Sequence, residues 1–180
     1  MSKTGGEFLS LLRKKPSKVE KFSDITQFMK LSSTDAAILR EIQRDDSLSL
    51  ADLGERVGLA QSTVWRRVQD FEKAGVIQGR VALLDPRLVG AKLCVFASVS
   101  LDDHSEDAVA GFARIVATRS EILECHALSG SADYILKIRV ADVEEYETFM
   151  THTLLRSPVV RSVVSSFSLK EIKHTTALPL

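Results

Sequence analysis

Several features that define special classes of protein are scarce or missing in this chain. Two cysteines among 180 residues are too few for a disulfide scaffold or a four-cysteine zinc site. No apolar run approaches the roughly 20 residues that a membrane-spanning helix needs, and the first 30 residues lack the apolar core of a secretory signal. We therefore expect a cytoplasmic protein with no membrane partner.

The chain also lacks a net charge, which is zero because 24 basic side chains balance 24 acidic ones. A zero balance argues against a nucleic-acid partner, since phosphates favour basic proteins. The balance is uneven along the chain, however. Residues 1–30 carry seven Lys/Arg and three Asp/Glu, residues 31–90 eight and nine, and residues 91–180 nine and twelve. A basic start and an acidic end indicate separate roles for the two ends.

The basic start, residues 1–30, has three interpretations. The cluster Arg13-Lys14-Lys15 indicates either an arm that adds phosphate contacts or a poorly ordered tail. In the third interpretation, translation begins at Met29, directly before the first strong helix signal.

Turn and capping signals predict three short helices after this extension. Two Ser-x-x-Asp motifs, Ser32–Asp35 and Ser49–Asp52, have the spacing that opens a helix. Gly58 stands where a left-handed residue ends the second helix, and a third helix is predicted over about Gln61–Lys73. Two helices joined by a tight glycine turn predict a helix-turn-helix, and residues 76–84 then predict a small β-wing.

The third helix carries the chemistry of the predicted module. Val64, Val68 and Phe71 share one face, so the polar residues project outward. Hydroxyls near its N-terminus suit phosphate, whereas arginine suits guanine and glutamine suits adenine. The residues that we assign to DNA contact are Gln61, Ser62, Thr63, Arg66, Arg67 and Gln69, with Arg80 near the tip of the wing. The alternative is a plain three-helix bundle with solvated arginines.

Two residues of the third helix need separate comment. Ala60 occupies its N-cap position, where a serine would cap better. Trp65 lies at the edge of the apolar stripe, and we interpret it as a packing residue rather than one that stacks on a base.

The rest of the chain predicts the order βαββαβ of a ferredoxin-like α+β domain. Strands are predicted at 93–101, 122–128, 134–140 and 159–172, with helices opened by Ser105 and Asp142. The inward stripes are Val109, Phe112, Ala113 and Val116 in one helix, and Val143, Tyr146, Phe149, Met150 and Leu154 in the other. Two helices cover one face of the sheet, so the apolar residues of the other face predict a homodimer.

The resulting organisation is a basic extension (1–30), a winged helix-turn-helix (31–84), a linker (85–92) and a ferredoxin-like domain (93–180). Its residues resemble the leucine-responsive/asparagine-responsive (Lrp/AsnC) regulators. The matching runs are 35–39, 51–59, 62–68, 72–79, 84–86, 130–134 and 173–180. The resemblance implies a transcription regulator that binds double-stranded DNA, senses an amino acid or related metabolite, and forms dimers that can assemble into octamers.

The resemblance also implies where the effector binds, at the interface between dimers. Carried over, the effector residues are His126, Gly130, Ser131, Asp133, Tyr134, Ser165 and Ser166. Backbone N–H groups of a glycine-containing turn can hold a carboxylate, and Asp133 can accept an ammonium group. The alternative is that Gly130 only permits a tight turn while Tyr134 packs. This chain has Ser131 where the family often has an acidic residue, and Ala60 where it often has serine.

Signs of catalysis are weak. The four histidines are scattered, and the adjacent Cys125 and His126 point to opposite faces of a predicted strand. Cys94 and Cys125 lie on strands that are not neighbours in a ferredoxin-like sheet, so no disulfide is expected. We expect no enzymatic activity, no cofactor and no metal. The alternative function is an amino-acid-binding or assembly module without specific DNA binding.

Overall fold

The computed structural model describes residues 31–180, which divide into two compact units. The first contains residues 31–78 together with 176–180, and the second contains residues 79–175. The interpretations of residues 1–30, including a start at Met29, lie outside the described part of the chain. Within that described part, no helix is both long and apolar enough to cross a membrane.

Three helices build the first unit, as the sequence predicts: α1 (Ser33–Arg44), α2 (Leu50–Val57) and α3 (Gln61–Lys73). The capping box is confirmed, because Ser32 Oγ accepts from the Asp35 N–H (3.1 Å) while Asp35 Oδ2 accepts from the Ser32 N–H (3.1 Å). Gly58 ends α2 with a left-handed φ of 69°, a conformation that glycine adopts without steric cost.

One side of each helix buries the core of this unit. The buried side chains are Ile38, Leu39, Leu53, Val64, Val68 and Phe71. The last residues of the chain pack with this unit too, because Gln43 forms two hydrogen bonds with the backbone of Leu178. Gln43 Nε2 donates to the carbonyl (3.3 Å) and the Leu178 N–H donates to Gln43 Oε1 (2.6 Å).

The second unit is the predicted ferredoxin-like α+β fold. Its elements are β1 (Leu93–Leu101), α4 (Glu106–Thr118), β2 (Ile122–Ala127), β3 (Tyr134–Val140), α5 (Val143–Phe149), a π-helical turn (Met150–Leu154) and β4 (Val160–Phe167). The strands form one antiparallel sheet in the order β2-β3-β1-β4. Cys94 on β1 and Cys125 on β2 are therefore separated by β3, and both are free.

The sheet has a helix-covered face and an open face. The helix-covered face holds the core, which includes Val95, Ala97, Val99, Leu101, Phe112, Leu136, Ile138, Tyr146, Phe149 and Leu154. Side chains alternate along a strand, so Phe96, Ile135 and Val164 belong to the open face. Phe96 is 39% exposed and Val164 is 66% exposed.

Two of the predicted helix stripes need correction. In α4 the inward set is Ala108, Phe112, Ile115 and Val116, while Val109 and Ala113 are exposed. Both sets have helical spacing, and the position of the sheet decides between them. In α5, Val143 stands in the first turn and is exposed, whereas Tyr146 and Phe149 are buried as predicted.

Two predicted strands also differ from the structure. The last strand ends at Phe167, not at Ile172, because Phe167 pairs with Val95 near the start of β1 and little of β1 remains beyond it. Residues 76–84, predicted as a β-wing, contain no strand. A strand needs a hydrogen-bonded neighbour, and no described segment pairs with these residues.

Candidate nucleic-acid interface and effector site

Helix α3 presents a polar surface on the side opposite its buried residues. Gln61, Ser62 and Arg66 are exposed, while Thr63, Arg67 and Gln69 are partly buried. Ala60 supplies no side-chain cap, so backbone N–H groups of the first turn are open to an acceptor. This arrangement places amide, hydroxyl and guanidinium donors together along one exposed surface. Arg80 is exposed as well, but it belongs to the second unit.

The turn between α2 and α3 fixes where α3 begins. Gly54 is buried inside α2, and a Cβ at this position would lie 2.7 Å from the carbonyl oxygen of Leu59. The Leu59 N–H donates to the Gly54 carbonyl (2.8 Å). Only glycine permits so close an approach of the turn to the helix, and the approach sets the position of the first residue of α3.

Arg67 forms an ion pair within the helix-turn-helix unit. Its Nε lies 3.5 Å from Asp35 Oδ1, in an ion pair that joins α3 to the start of α1. Asp35 is buried, and no closer hydrogen bond satisfies its Oδ1. The guanidinium remains partly exposed, so Arg67 can link α3 to α1 and still contact a phosphate.

Two further side chains of α3, Gln69 and Trp65, differ in whether another part of the chain holds them in place. Gln69 Nε2 donates to Glu72 Oε2 (3.1 Å), which ties this amide to its own helix. The packing interpretation of Trp65 is wrong, because 54% of its surface is exposed. Arg66 is exposed and is therefore the arginine of α3 best placed to reach a partner.

In the second unit, Asp133 anchors the turn between β2 and β3 to the end of β1. Its Oδ2 accepts from the buried Leu101 N–H (2.8 Å), and its Oδ1 lies 2.8 Å from His104 Nε2. The hydrogen bond with His104 and the one from Leu101 hold the pKa of this carboxyl below its usual range. Asp133 is thus a structural anchor, although each carboxylate oxygen keeps lone-pair capacity for another donor.

The other predicted effector residues lie on different sides of the sheet. Tyr134 packs on Phe112, with ring centroids 4.7 Å apart, and burial raises the pKa of its hydroxyl. Ser165 bonds to the hydroxyl of Tyr146 (2.5 Å), also on the helix-covered face. His126 and Ser166 alternate with core-facing neighbours and therefore lie on the open face. A single chain brings together only Gly130, Ser131 and Asp133.

The open face also carries partly buried charge. Lys137 Nζ donates to Glu124 Oε1 (2.8 Å), and Arg139 donates to Glu171 Oε2 (3.1 Å). The hydrogen bond from Lys137 lowers the pKa of Glu124. Lys137 stands directly opposite Phe96 of β1, so these paired charges adjoin the exposed apolar side chains of the open face.

Sequence reasoning missed two residues that shape these sites. His104 is 29 residues from Asp133, so only the pairing of β1 with β3 brings them together. Gly54 did leave a signal, because an isolated glycine inside a helical pattern often marks a close backbone approach. No group of three or more metal-ligating side chains converges within residues 31–180.

The two units together define a class of protein: a helix-turn-helix that binds DNA, followed by a ferredoxin-like domain. Comparison with known families agrees with both halves. Residues 31–78 match the family model described as winged helix-turn-helix DNA-binding, and residues 94–178 match the Lrp/AsnC ligand binding domain. The chain belongs to the Lrp/AsnC family, and it is an amino-acid-responsive DNA-binding transcription regulator.

Several individual relatives are similar over most of their length. The glutamate uptake regulatory protein of Zymomonas mobilis is 38% identical over 151 residues, which cover 84% of this chain and 92% of the relative. The leucine-responsive regulatory protein of Escherichia coli is 38% identical over 148 residues, covering 82% and 90%. A Neisseria meningitidis transcriptional regulator, solved as an L-Met complex, has a TM-score of 0.80 and 40% identity, covering 83% of this chain and 96% of that one.

Proposed function

We propose that the exposed surface of α3 enters the major groove of double-stranded DNA, with Arg66 as its main contact. The observation that carries this proposal is the exposed row of donors on α3, opposite the buried Val64, Val68 and Phe71. Gln61, Ser62, Thr63, Arg67 and Gln69 supply further contacts, and Arg80 adds one from outside the helical unit. Helices α2 and α3 form the helix-turn-helix, and in such a motif the second helix, here α3, contacts base edges in the groove.

Substitution of Arg66 tests this interface. Arg66→Ala should weaken binding to a duplex selected from a random-sequence pool by tenfold or more, because a good arginine contact to a base is worth about 1–3 kcal/mol. Fluorescence anisotropy of the labelled duplex at fixed salt measures the affinity. Arg114→Ala, the same change at an exposed position of α4, is the matched control. Equal affinities for the two variants would contradict the role of Arg66.

We further propose that the amino-acid effector binds at the turn between β2 and β3. Gly130 and Ser131 are exposed, and a Cβ at Gly130 would meet nothing within 4 Å, so a ligand can approach the backbone N–H groups there. A turn of this kind binds a carboxylate, and Asp133 has remaining acceptor capacity for the ammonium group. The N. meningitidis relative with bound L-Met supports an amino acid as ligand. Tyr134 and Ser165 on one face, with His126 and Ser166 on the other, would complete a site only where a second copy contributes.

We propose that the working form is at least a homodimer, in which a second copy covers the open face of the sheet. Two observations support this. Phe96 and Val164 are exposed on that face, and the segment 81–89 exposes a further series of large apolar side chains: Val81, Leu83, Leu84, Leu88 and Val89. Exposed apolar surface of this extent marks an interface. Further assembly to an octamer, a cytoplasmic location and the lack of catalytic activity remain predictions.

Charge placed on the open face should prevent this assembly. Val164→Lys should shift the protein from dimer or larger species to monomer, because an unpaired ammonium would be buried between two sheets. Sedimentation velocity at micromolar protein measures the change. Val143→Lys, at a similarly exposed valine on the helix layer, should still sediment as a dimer or larger. A dimer that survives Val164→Lys would show that another surface forms the interface.

A further inference from the structure

Trp65 is an unusual residue for its place in the fold. It is the only tryptophan in the chain, and it lies on α3 with 54% of its surface exposed. No ring contact or hydrogen bond to Trp65 occurs among residues 31–180. Tryptophan carries a large apolar surface that folding normally buries, so the fold of the single unit does not explain this residue.

The neighbours of Trp65 along the helix are hydrogen-bonding side chains. Residues four apart on a helix lie side by side, which places Trp65 between Gln61 and Gln69. Arg66, also exposed, follows it directly in the chain. Trp65 therefore borders the row of donors that the proposed DNA interface uses, and it is the large apolar group of that surface.

The major groove offers one apolar group to such a side chain, the C5-methyl of thymine. The bases of an intact duplex are stacked on one another, which leaves the methyl at the groove edge as the accessible apolar feature. The adenine paired with that thymine presents the N6 and N7 atoms that a glutamine amide recognises. A row that alternates glutamine, tryptophan and glutamine thus has the chemistry to recognise an A·T pair.

We propose that Trp65 is a specificity-determining residue, whose indole packs against a thymine methyl in the major groove and selects an A·T pair there. This inference rests on the proposed placement of α3 in the groove. It assigns to Trp65 a function in recognising DNA sequence, with the exposed Gln61 as the neighbouring amide, since Gln69 is bonded to Glu72.

Intrinsic fluorescence reports directly on this contact, because Trp65 is the only tryptophan. Titration of the full chain with a duplex selected from a random-sequence pool should change the tryptophan emission, with the same midpoint that anisotropy of the labelled duplex gives. If anisotropy records binding while the emission stays constant, the proposal for Trp65 fails and the DNA-binding function stands. If anisotropy records no binding, the proposed interface itself fails. An emission change that depends on protein concentration alone, without DNA, would assign Trp65 to an interface between copies and overturn the proposal.

Removal of single methyl groups from the DNA identifies the base. Each thymine of the selected duplex is replaced in turn by deoxyuridine, which lacks only the C5-methyl. The wild type should lose about fourfold in affinity at one thymine, the factor expected for one methyl-sized apolar contact. Trp65→Ala should bind the thymine duplex more weakly and lose the sensitivity to deoxyuridine at that position, whereas Trp65→Phe should retain part of it.

The thermal stability of each variant separates recognition from folding. Because Trp65 is half exposed, Trp65→Ala should melt within a few degrees of the wild type. A similar deoxyuridine effect in the wild type and in Trp65→Ala at every position would overturn the proposal. If Trp65→Ala melts much earlier, Trp65→Phe is compared with the wild type instead. A deoxyuridine effect in Trp65→Phe that equals the wild-type effect at every position would then overturn the proposal.

Discussion

Gly54→Ala should destabilise the helix-turn-helix and abolish tight DNA binding. The added methyl would stand 2.7 Å from the carbonyl oxygen of Leu59 and 3.5 Å from the backbone nitrogen of Gln61. Only the first distance is a clash, and because the Leu59 oxygen is a backbone atom, the clash is relieved by moving the turn that leads into α3. Overpacking of this kind typically costs about 1–3 kcal/mol of unfolding free energy. A displaced α3 should also lose at least tenfold in DNA affinity, since the donors on its exposed side move together.

Gly79→Ala is the matched control for this prediction. A Cβ at Gly79 would meet nothing within 4 Å, and its φ is not in the left-handed region, so the same chemical change meets no obstacle. Thermal melting gives the stability of each variant, and hydrogen exchange over α2 and α3 locates the loss. If Gly54→Ala melts and binds DNA like Gly79→Ala, the close approach of the turn does not position α3.

Asp133→Ala should be the most damaging single change at the proposed effector turn. It would leave the N–H of Leu101, a fully buried residue, without its acceptor, and it would remove the partner of His104. An unsatisfied buried donor is costly, so the second unit should melt several degrees earlier. Asp102→Ala is the matched control, because its side chain is exposed and makes none of these contacts. A melting temperature equal to that of Asp102→Ala would contradict the anchoring role.

The same contact predicts a dependence on pH. The pKa of Asp133 is lowered in the folded protein, first by the hydrogen bond with His104 and then by the bond from Leu101. The stabilisation is therefore present above the ordinary aspartate pKa of about 4, and it is lost as the pH falls through the lower folded-state pKa. The difference in stability between wild type and Asp133→Ala should be full at pH 7 and should shrink in that acidic range.

Asp133→Asn separates anchoring from ligand binding. The amide oxygen can still accept from the Leu101 N–H, whereas the charge that would attract an ammonium group is gone. An amino acid that binds the folded protein raises its melting temperature. That increase should be present in the wild type and strongly reduced in Asp133→Asn; an equal increase in both would move the ammonium contact to another residue.

The sequence was sufficient for the helices of the first unit and for the order of strands and helices in the second. The bounds of α3 could be predicted because its apolar spacing is regular, and Gly58 and the Ser-x-x-Asp motifs mark where α1 and α2 begin and end. These are local signals, and each involves residues within one turn of the chain. The open face of the sheet was predictable for a different reason, since the order of elements provides two helices, which are too few to cover both faces.

Contacts between distant residues could not be predicted in this way. The pairs Arg67–Asp35 and His104–Asp133 depend on how helices pack and on the register of strands, which spacing does not specify. The stripe of α4 illustrates the limit, because two apolar sets fit a helix equally well and only the sheet distinguishes them. The strand predicted for the wing at residues 76–84 is absent for a related reason: alternation of apolar residues does not supply a partner strand.

Zero net charge proved a poor guide to the nature of the partner. In the proposed interface a local surface contacts the DNA: the exposed Arg66 lies opposite the buried side of α3, while Arg67, paired with Asp35, is partly exposed. The acidic excess belongs to residues 91–180, which form most of the ferredoxin-like domain. The distribution of charge along the chain therefore carries the information that the total lacks.

Amino-acid-dependent, sequence-specific DNA binding is measured by the affinity of the full chain for a duplex selected from a random-sequence pool, compared with a scrambled duplex, with and without each common amino acid. We expect the selected duplex to bind about a thousandfold more tightly than the scrambled one, and at least one amino acid to change that affinity. Equal affinity for both duplexes, unaffected by any amino acid, would contradict this expectation.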